Sequence, residues 1–245
     1  MILSSNSNDE FCASMDTIGF KAKIIHEKTV LIKINLARPA IHNHPRTDVN
    51  LLSEVIHYVY SNGGTCAIAE SANGYLKNNI EQAGLSDIVN NYNIKVIDLD
   101  FEEVEQVSIT GEEHYIPKCF KNYGVRIAIP ASSKRPNMIF SNNVKLFVGA
   151  VPRRMYQIDN KTVDWRPRVH IDLHRSVANI FNSIQWYSPF SFFINGGLAM
   201  SETKGEFRFK EILISNDGIE LDLYVLEKYF NDFEIPDYLK EFQNK

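Results

Sequence analysis

The chain has 245 residues, 44% hydrophobic and 23% charged, with a net charge of −4. That length buries a sizeable core without disulfide staples, and the acidic balance argues against nucleic-acid binding, which needs a basic footprint. The three cysteines (Cys12, Cys66 and Cys119) form no CxxC pattern, which fits reduced thiols in the cytoplasm rather than an iron–sulfur or disulfide framework.

Taken in order, residues 1–20 are polar and read as an irregular lead-in that lacks the basic and apolar regions of a secretory signal. Residues 29–34 (TVLIKI) are β-branched and apolar and predict a strand buried on both faces. Lys33 lies inside that strand, where an unpaired ammonium is costly. A loop follows with Arg38, His42, His44 and Arg46, and then a helix in which Leu52, Val55, Ile56 and Val59 share one face. Residues 65–69 (TCAIA) predict a second strand with Glu70 at its tip, so strand–helix–strand gives a parallel βαβ unit. Two short helices and a third strand (95–99) come next, then a hairpin around Thr110-Gly111 and a strand at 125–130.

The stretch from Lys134 to Arg175 carries nine Lys or Arg against three Asp, a charge of +6 inside an acidic chain. It holds Lys134, Arg135, Lys145, Arg153, Arg154, Arg166 and Arg168, and it leads into a helix expected over 168–184. His170 and His174, four apart, would share a face of that helix. Strands at 191–194 and 211–215 follow, the first closed by Asn195-Gly196-Gly197; then come a helix capped by Asp217 and a tail that wraps the surface. Apolar runs such as 190–194 fall far short of the ~20 residues that span a membrane.

Strands alternating with helices predict a single α/β domain over 1–245. Its sheet would be mostly parallel with helices on both faces, with a small hairpin insertion. Ligands of such sheets bind beyond the C-terminal strand ends, where Lys33, Arg38, Glu70 and Asn195 all fall. The expected ligand is a small anion held by Lys33, Arg38, Lys134, Arg135, Arg153, Arg154 and Asn195. Protons would be moved by His174, Lys145, Glu70 or His44. The plainer alternatives are solvated lysines, a surface loop for His42, a Glu70 that only orients Lys33, and arginines that meet a partner subunit in a homo-oligomer. No metal ligand set is complete around His170 and His174, and no Walker, dinucleotide or nucleophile-elbow motif occurs, so no cofactor is expected.

In their order and spacing, VLIKINLARP with HPRTD, TCAIAESANG, IPASSKRPNMIFSNNVKLFVGAVP, FINGGLAM and SNDGIELD resemble the family called domain of unknown function 362 (DUF362). The resemblance covers about residues 15–230 and singles out Lys33, Asp48, Glu70, Lys134, Lys145, Gly149, His174, Asp217 and Asp222. Arg135, Leu146 and Asn195 replace the family's usual His, Asn and Asp, and the ferredoxin-like cysteines of some members are absent. The resulting expectation is a cytoplasmic enzyme that works on a small carboxylate, phosphate or sulfate by acid/base chemistry, without a redox cofactor. The alternative is a non-catalytic anion- or metal-binding module.

Overall fold

A computed structural model describes residues 1–36, 46–109, 111–134, 139–159, 161–230 and 234–243. Its centre is a seven-stranded sheet. Five strands run parallel: β4 (Lys95–Asp98), β3 (Thr65–Glu70), β2 (Thr29–Ile34), β7 (Val125–Ile129) and β8 (Phe192–Asn195), in that spatial order. The sheet continues through β11 (Ile212–Ser215), antiparallel to β8, and ends on β1 (Ile2–Ser5), antiparallel to β11. Between β8 and β11 lies only the hairpin of β9 (Leu198–Ser201) and β10 (Gly205–Arg208). With no helical crossover to return the chain, β11 must run against β8.

Both faces of the sheet are covered, as the alternation of buried residues along β2 requires. Val30, Ile32 and Ile34 join one core with α1 (Asn8–Thr17), α2 (Phe20–Glu27), α3 (Val49–Ser61) and α4 (Leu76–Gln82). Leu31 points the other way, into a core built with α6 (Asn143–Leu146), α7 (Leu173–Tyr187), α8 (Gly218–Tyr229) and α9 (Asp237–Gln243). The period of two puts Lys33 on the same side as Leu31, facing α6. The hairpin β5 (Val104–Ile109) and β6 (Glu112–Pro117) also packs on that side, through Val107 and Ile116. Together these elements form an α/β fold with a mostly parallel sheet. Among the described residues no helix is long and apolar enough to cross a membrane.

Three expectations are corrected. The lead-in at 1–20 is structured as β1, α1 and the start of α2. Ser7 accepts a hydrogen bond from Glu10 N (3.3 Å) while Asn6 N donates to Glu10 (2.7 Å), a reciprocal cap that starts α1 and lets Phe11 and Met15 reach the core. The helix expected from residue 168 begins at Leu173 instead. Pro167–His170 forms a separate 3-10 turn, and Asp172 caps α7 by accepting from Arg175 N at 3.3 Å. The tail does not wrap the surface as an irregular strap. It folds into α9, whose fully buried Tyr238 donates its hydroxyl to Phe140 O at 2.9 Å.

Candidate functional site

Lys33 is fully buried at the C-terminal end of β2, and its Nζ donates to Ile34 O (2.7 Å) and to Glu70 Oε1 (3.1 Å). Glu70, at the matching end of β3, also accepts from Ser71 N (2.7 Å) and Leu36 N (3.1 Å). Among the described residues these three donors hold the carboxylate in place. Burial pushes Lys33 below the usual lysine range; Glu70 opposes that shift, and the nearby Arg166 and Arg153 charges add to it.

Two arginines from the basic stretch close the opposite wall. Arg153 donates through its backbone N to Asp100 Oδ1 (2.7 Å), through Nη1 to Asp100 Oδ2, and through Nη2 to Ser71 O (2.9 Å). Arg166, 7% exposed, donates through Nε to Val151 O (2.7 Å) and through Nη2 to Ser71 Oγ (2.6 Å). Burial, reinforced by Arg153, pushes Arg166 down to about 10. Burial alone would raise Asp100, but the Arg153 N–H, the Ser71 hydroxyl and the two arginine charges outweigh it and hold the carboxyl below its ordinary value.

Lys145 projects from α6 toward these groups, and its ammonium has no hydrogen bond or ion pair among the described residues. Burial lowers its pKa. Lys33, Glu70, Ser71, Lys145, Arg153 and Arg166 line one cleft of about 210 Å³ at the strand ends. Four cationic side chains thus meet one carboxylate. Larger hollows exist among the described residues, but none has an excess of cations: about 380 Å³ beside the start of α3 carries Arg46 and Arg208 against Asp48 and Glu206, about 530 Å³ beside α4 carries Lys77 against Glu81 and Asp98, and two of about 280 and 290 Å³ each hold one more carboxylate than Lys or Arg. The smaller cleft is therefore the candidate site.

The floor of the cleft is backbone. A Cβ on Gly149 would sit 3.2 Å from Glu70 Oε1 and 3.4 Å from Lys33 Nζ. Gly149→Ala is accordingly expected to push on the Lys33–Glu70 pair and to destabilise the protein by about 1–3 kcal/mol. Urea unfolding measures this, and a change within about 0.5 kcal/mol, the range of ordinary surface substitutions, would show that the pair gives way freely.

The structure gathers Lys33, Glu70, Lys145 and Arg153 of the sequence candidates and leaves others outside the cleft. Arg154 turns its guanidinium to the backbone, donating to Asp100 O and to Glu102 O (2.6 Å), and so clamps the loop after β4. Lys134 lies by β9, its backbone N donating to Met200 O at 2.8 Å. His174 accepts from Tyr238 N (3.3 Å) and stacks on that ring, as part of the α7–α9 contact. His170 is exposed and bonds Arg166 O from the 3-10 turn, so the two histidines do not share a helix face. Arg38, His42, His44 and Arg135 lie outside the described residues. Among the described residues no group of three or more His, Cys, Asp or Glu is placed to hold a metal ion.

Asn195 is fully buried behind the cleft, in a polar network rather than at its surface. It donates to Ser132 Oγ (2.9 Å) and Asn142, and accepts from Asn143 Nδ2 (2.6 Å). Asp222 on α8 accepts from Asn143 N, Asn143 Nδ2 and Val144 N at 2.9–3.0 Å. These bonds fix the first turn of α6 and thereby aim Lys145. The sequence offers Arg166 only beside Arg168, as a pair that could clamp an anion or meet a partner subunit and that ranks below Arg153 and Arg154. Asp100 carries no signal there: it follows Asp98, whose carboxylate holds the turn after β3 through Ala72 N and Gly74 N.

Comparison with curated proteins gives no match. The family model described as domain of unknown function (DUF362) matches residues 30–227. That span holds every residue lining the cleft, and the chain belongs to the DUF362 family.

Proposed function

We propose that this chain is a cytoplasmic enzyme that takes a small carboxylate, phosphate or sulfate into the cleft at the ends of β2 and β3. It acts there by acid/base chemistry such as elimination, isomerisation or cyclisation. One observation carries the reading: among the described residues Lys145 is an unpartnered amine, in a cleft whose other cations, Lys33, Arg153 and Arg166, are held rigid by Glu70, Asp100 and Ser71. Prearranged cations stabilise negative charge that develops during a reaction without reorganising. A lowered pKa makes an amine readier to give up its proton, as a general acid or base must. Glu70 orients Lys33, since its oxygens are taken up by three donors. The volume, about 210 Å³, lies below the roughly 300 Å³ where pockets for drug-sized ligands begin, so it suits a metabolite of few atoms.

The test is a thermal-shift titration with sulfate, phosphate and short carboxylates. At an anion concentration one hundred times Kd, a rise on the order of 5 °C is expected. Lys145→Met is expected to lose that rise while keeping its circular dichroism spectrum. No saturable rise with any of these anions would overturn the proposal.

A further inference from the structure

We propose that Lys145 is an amine nucleophile, and that the anion received by the cleft carries a carbonyl next to its carboxylate: a 2-oxo acid, with which Lys145 forms a Schiff base. This rests on the reading of the cleft as an anion site and goes beyond it by naming the bond that forms.

Lys33 is held by Glu70, which favours its charged, non-nucleophilic form. Arg153 is tied to Asp100 and Ser71. Lys145 alone among the four has no partner among the described residues. The nearby carboxylates are engaged elsewhere, Glu70 by Lys33 and two backbone N–H groups, Asp100 by Arg153. Nothing in the described cleft therefore holds a proton on Lys145. Burial favours the neutral amine, and desolvation of this kind activates a lysine nucleophile.

The carboxylate of the substrate has its own receptor. Arg166 is nine-tenths buried, lines the cleft, and is fixed through Nε and Nη2. Its Nη1 has no partner among the described residues and remains to bind a carboxylate oxygen. A substrate held there presents its adjacent carbonyl inside the same small cleft that Lys145 enters.

The step balances. The Lys145 nitrogen attacks the carbonyl carbon, a C–N bond forms and the C–O bond breaks. The carbonyl oxygen leaves as water with the two hydrogens of the amine, and one proton from solvent makes the iminium. Hydrolysis reverses the sequence and restores the lysine. While it lasts, the iminium draws electrons from the adjoining carbon, which eases removal of a proton there.

The experiment incubates the intact protein at pH 7 with glyoxylate, pyruvate or 2-oxobutyrate and sodium cyanoborohydride, then maps reduced adducts by peptide mass spectrometry. The expected result is labelling of Lys145 several-fold faster than of the exposed Lys77 and Lys161, since a lowered pKa leaves more of the amine neutral at pH 7. Sulfate should suppress it. If 2-oxo acids raise the melting temperature but Lys145 is labelled no faster than Lys77 and Lys161, the Schiff base is overturned and the anion cleft stands. If no anion raises the melting temperature and no adduct forms on Lys145, both fall.

Discussion

Glu70→Leu is expected to cost about 3–5 kcal/mol of stability at pH 7, the usual loss when one partner of a buried ion pair is removed. Lys33 has no exposed surface, and without Glu70 its ammonium keeps only the Ile34 carbonyl at 2.7 Å, in the field of Arg153 and Arg166. The variant should also show a characteristic pH response. Loss of Glu70 removes the main influence that keeps the Lys33 pKa up, so the folded value drops further below the unfolded one. Between the two values the unfolded chain binds the extra proton, so the stability of Glu70→Leu rises with pH as folded Lys33 loses its charge. The double variant Glu70→Leu, Lys33→Met removes both charges and should recover most of the loss, because apolar replacements of buried pairs are often neutral or better. Urea unfolding of the wild type and the two variants measures this. A loss below about 1 kcal/mol for Glu70→Leu, the value of an exposed pair, would mean that Lys33 is solvated. A double variant no better than the single one would mean that the pair is not coupled.

The second large effect concerns Asp222. Burial pushes its carboxyl up to about 7 against three hydrogen bonds from the start of α6 that favour the ionised form. An unfolded Asp releases its proton near pH 4. Between about 4 and 7 the folded state therefore binds the extra proton, and the contribution of Asp222 to stability is full below that window and is lost as pH rises through it. The loss across the window is on the order of 4 kcal/mol. Other carboxylates shift the opposite way, among them Asp100, so the measurement is a difference between wild type and Asp222→Asn. That difference in unfolding free energy should fall by on the order of 3 kcal/mol from pH 5 to pH 8. A difference that is flat, or that grows with pH, would show that Asp222 is ionised throughout and that its donors outweigh its burial. Because the same donors define the first turn of α6, the outcome also tells how firmly Lys145 is aimed.

Most of the sheet and the end of it that matters were legible in the sequence. Short apolar runs at β2, β3 and β7, bounded by turn residues, read as strands covered on both faces, and the helix between β2 and β3 makes those two parallel. Lys33 stood out because one charge in such a run must find a partner. Capping at short range was harder to weigh. Ser7 with Glu10 started a helix that polar composition concealed, and Asp172 moved the start of α7 past His170. The placement of His174 followed from that and from α9, since the apolar residues of a seven-residue helix do not announce which neighbour they will cover.

By itself the sequence determined that this chain has a layered α/β architecture, that cations gather in one segment, and that one of them, Lys33, is caged in a strand. Those properties are local: periodicity, charge spacing and the cost of an unpaired ammonium act within a few residues. Which cations share a cleft was decided by the tertiary structure alone. Arg153 and Arg154 are neighbours in sequence, yet one is drawn into the cleft by Asp100 and Ser71 while the other is spent on backbone carbonyls. Among the described residues Lys145 is left unpartnered because the nearby carboxylates are taken by residues 37 and 53 positions distant from them, a matter of chain geometry that no stretch of sequence contains.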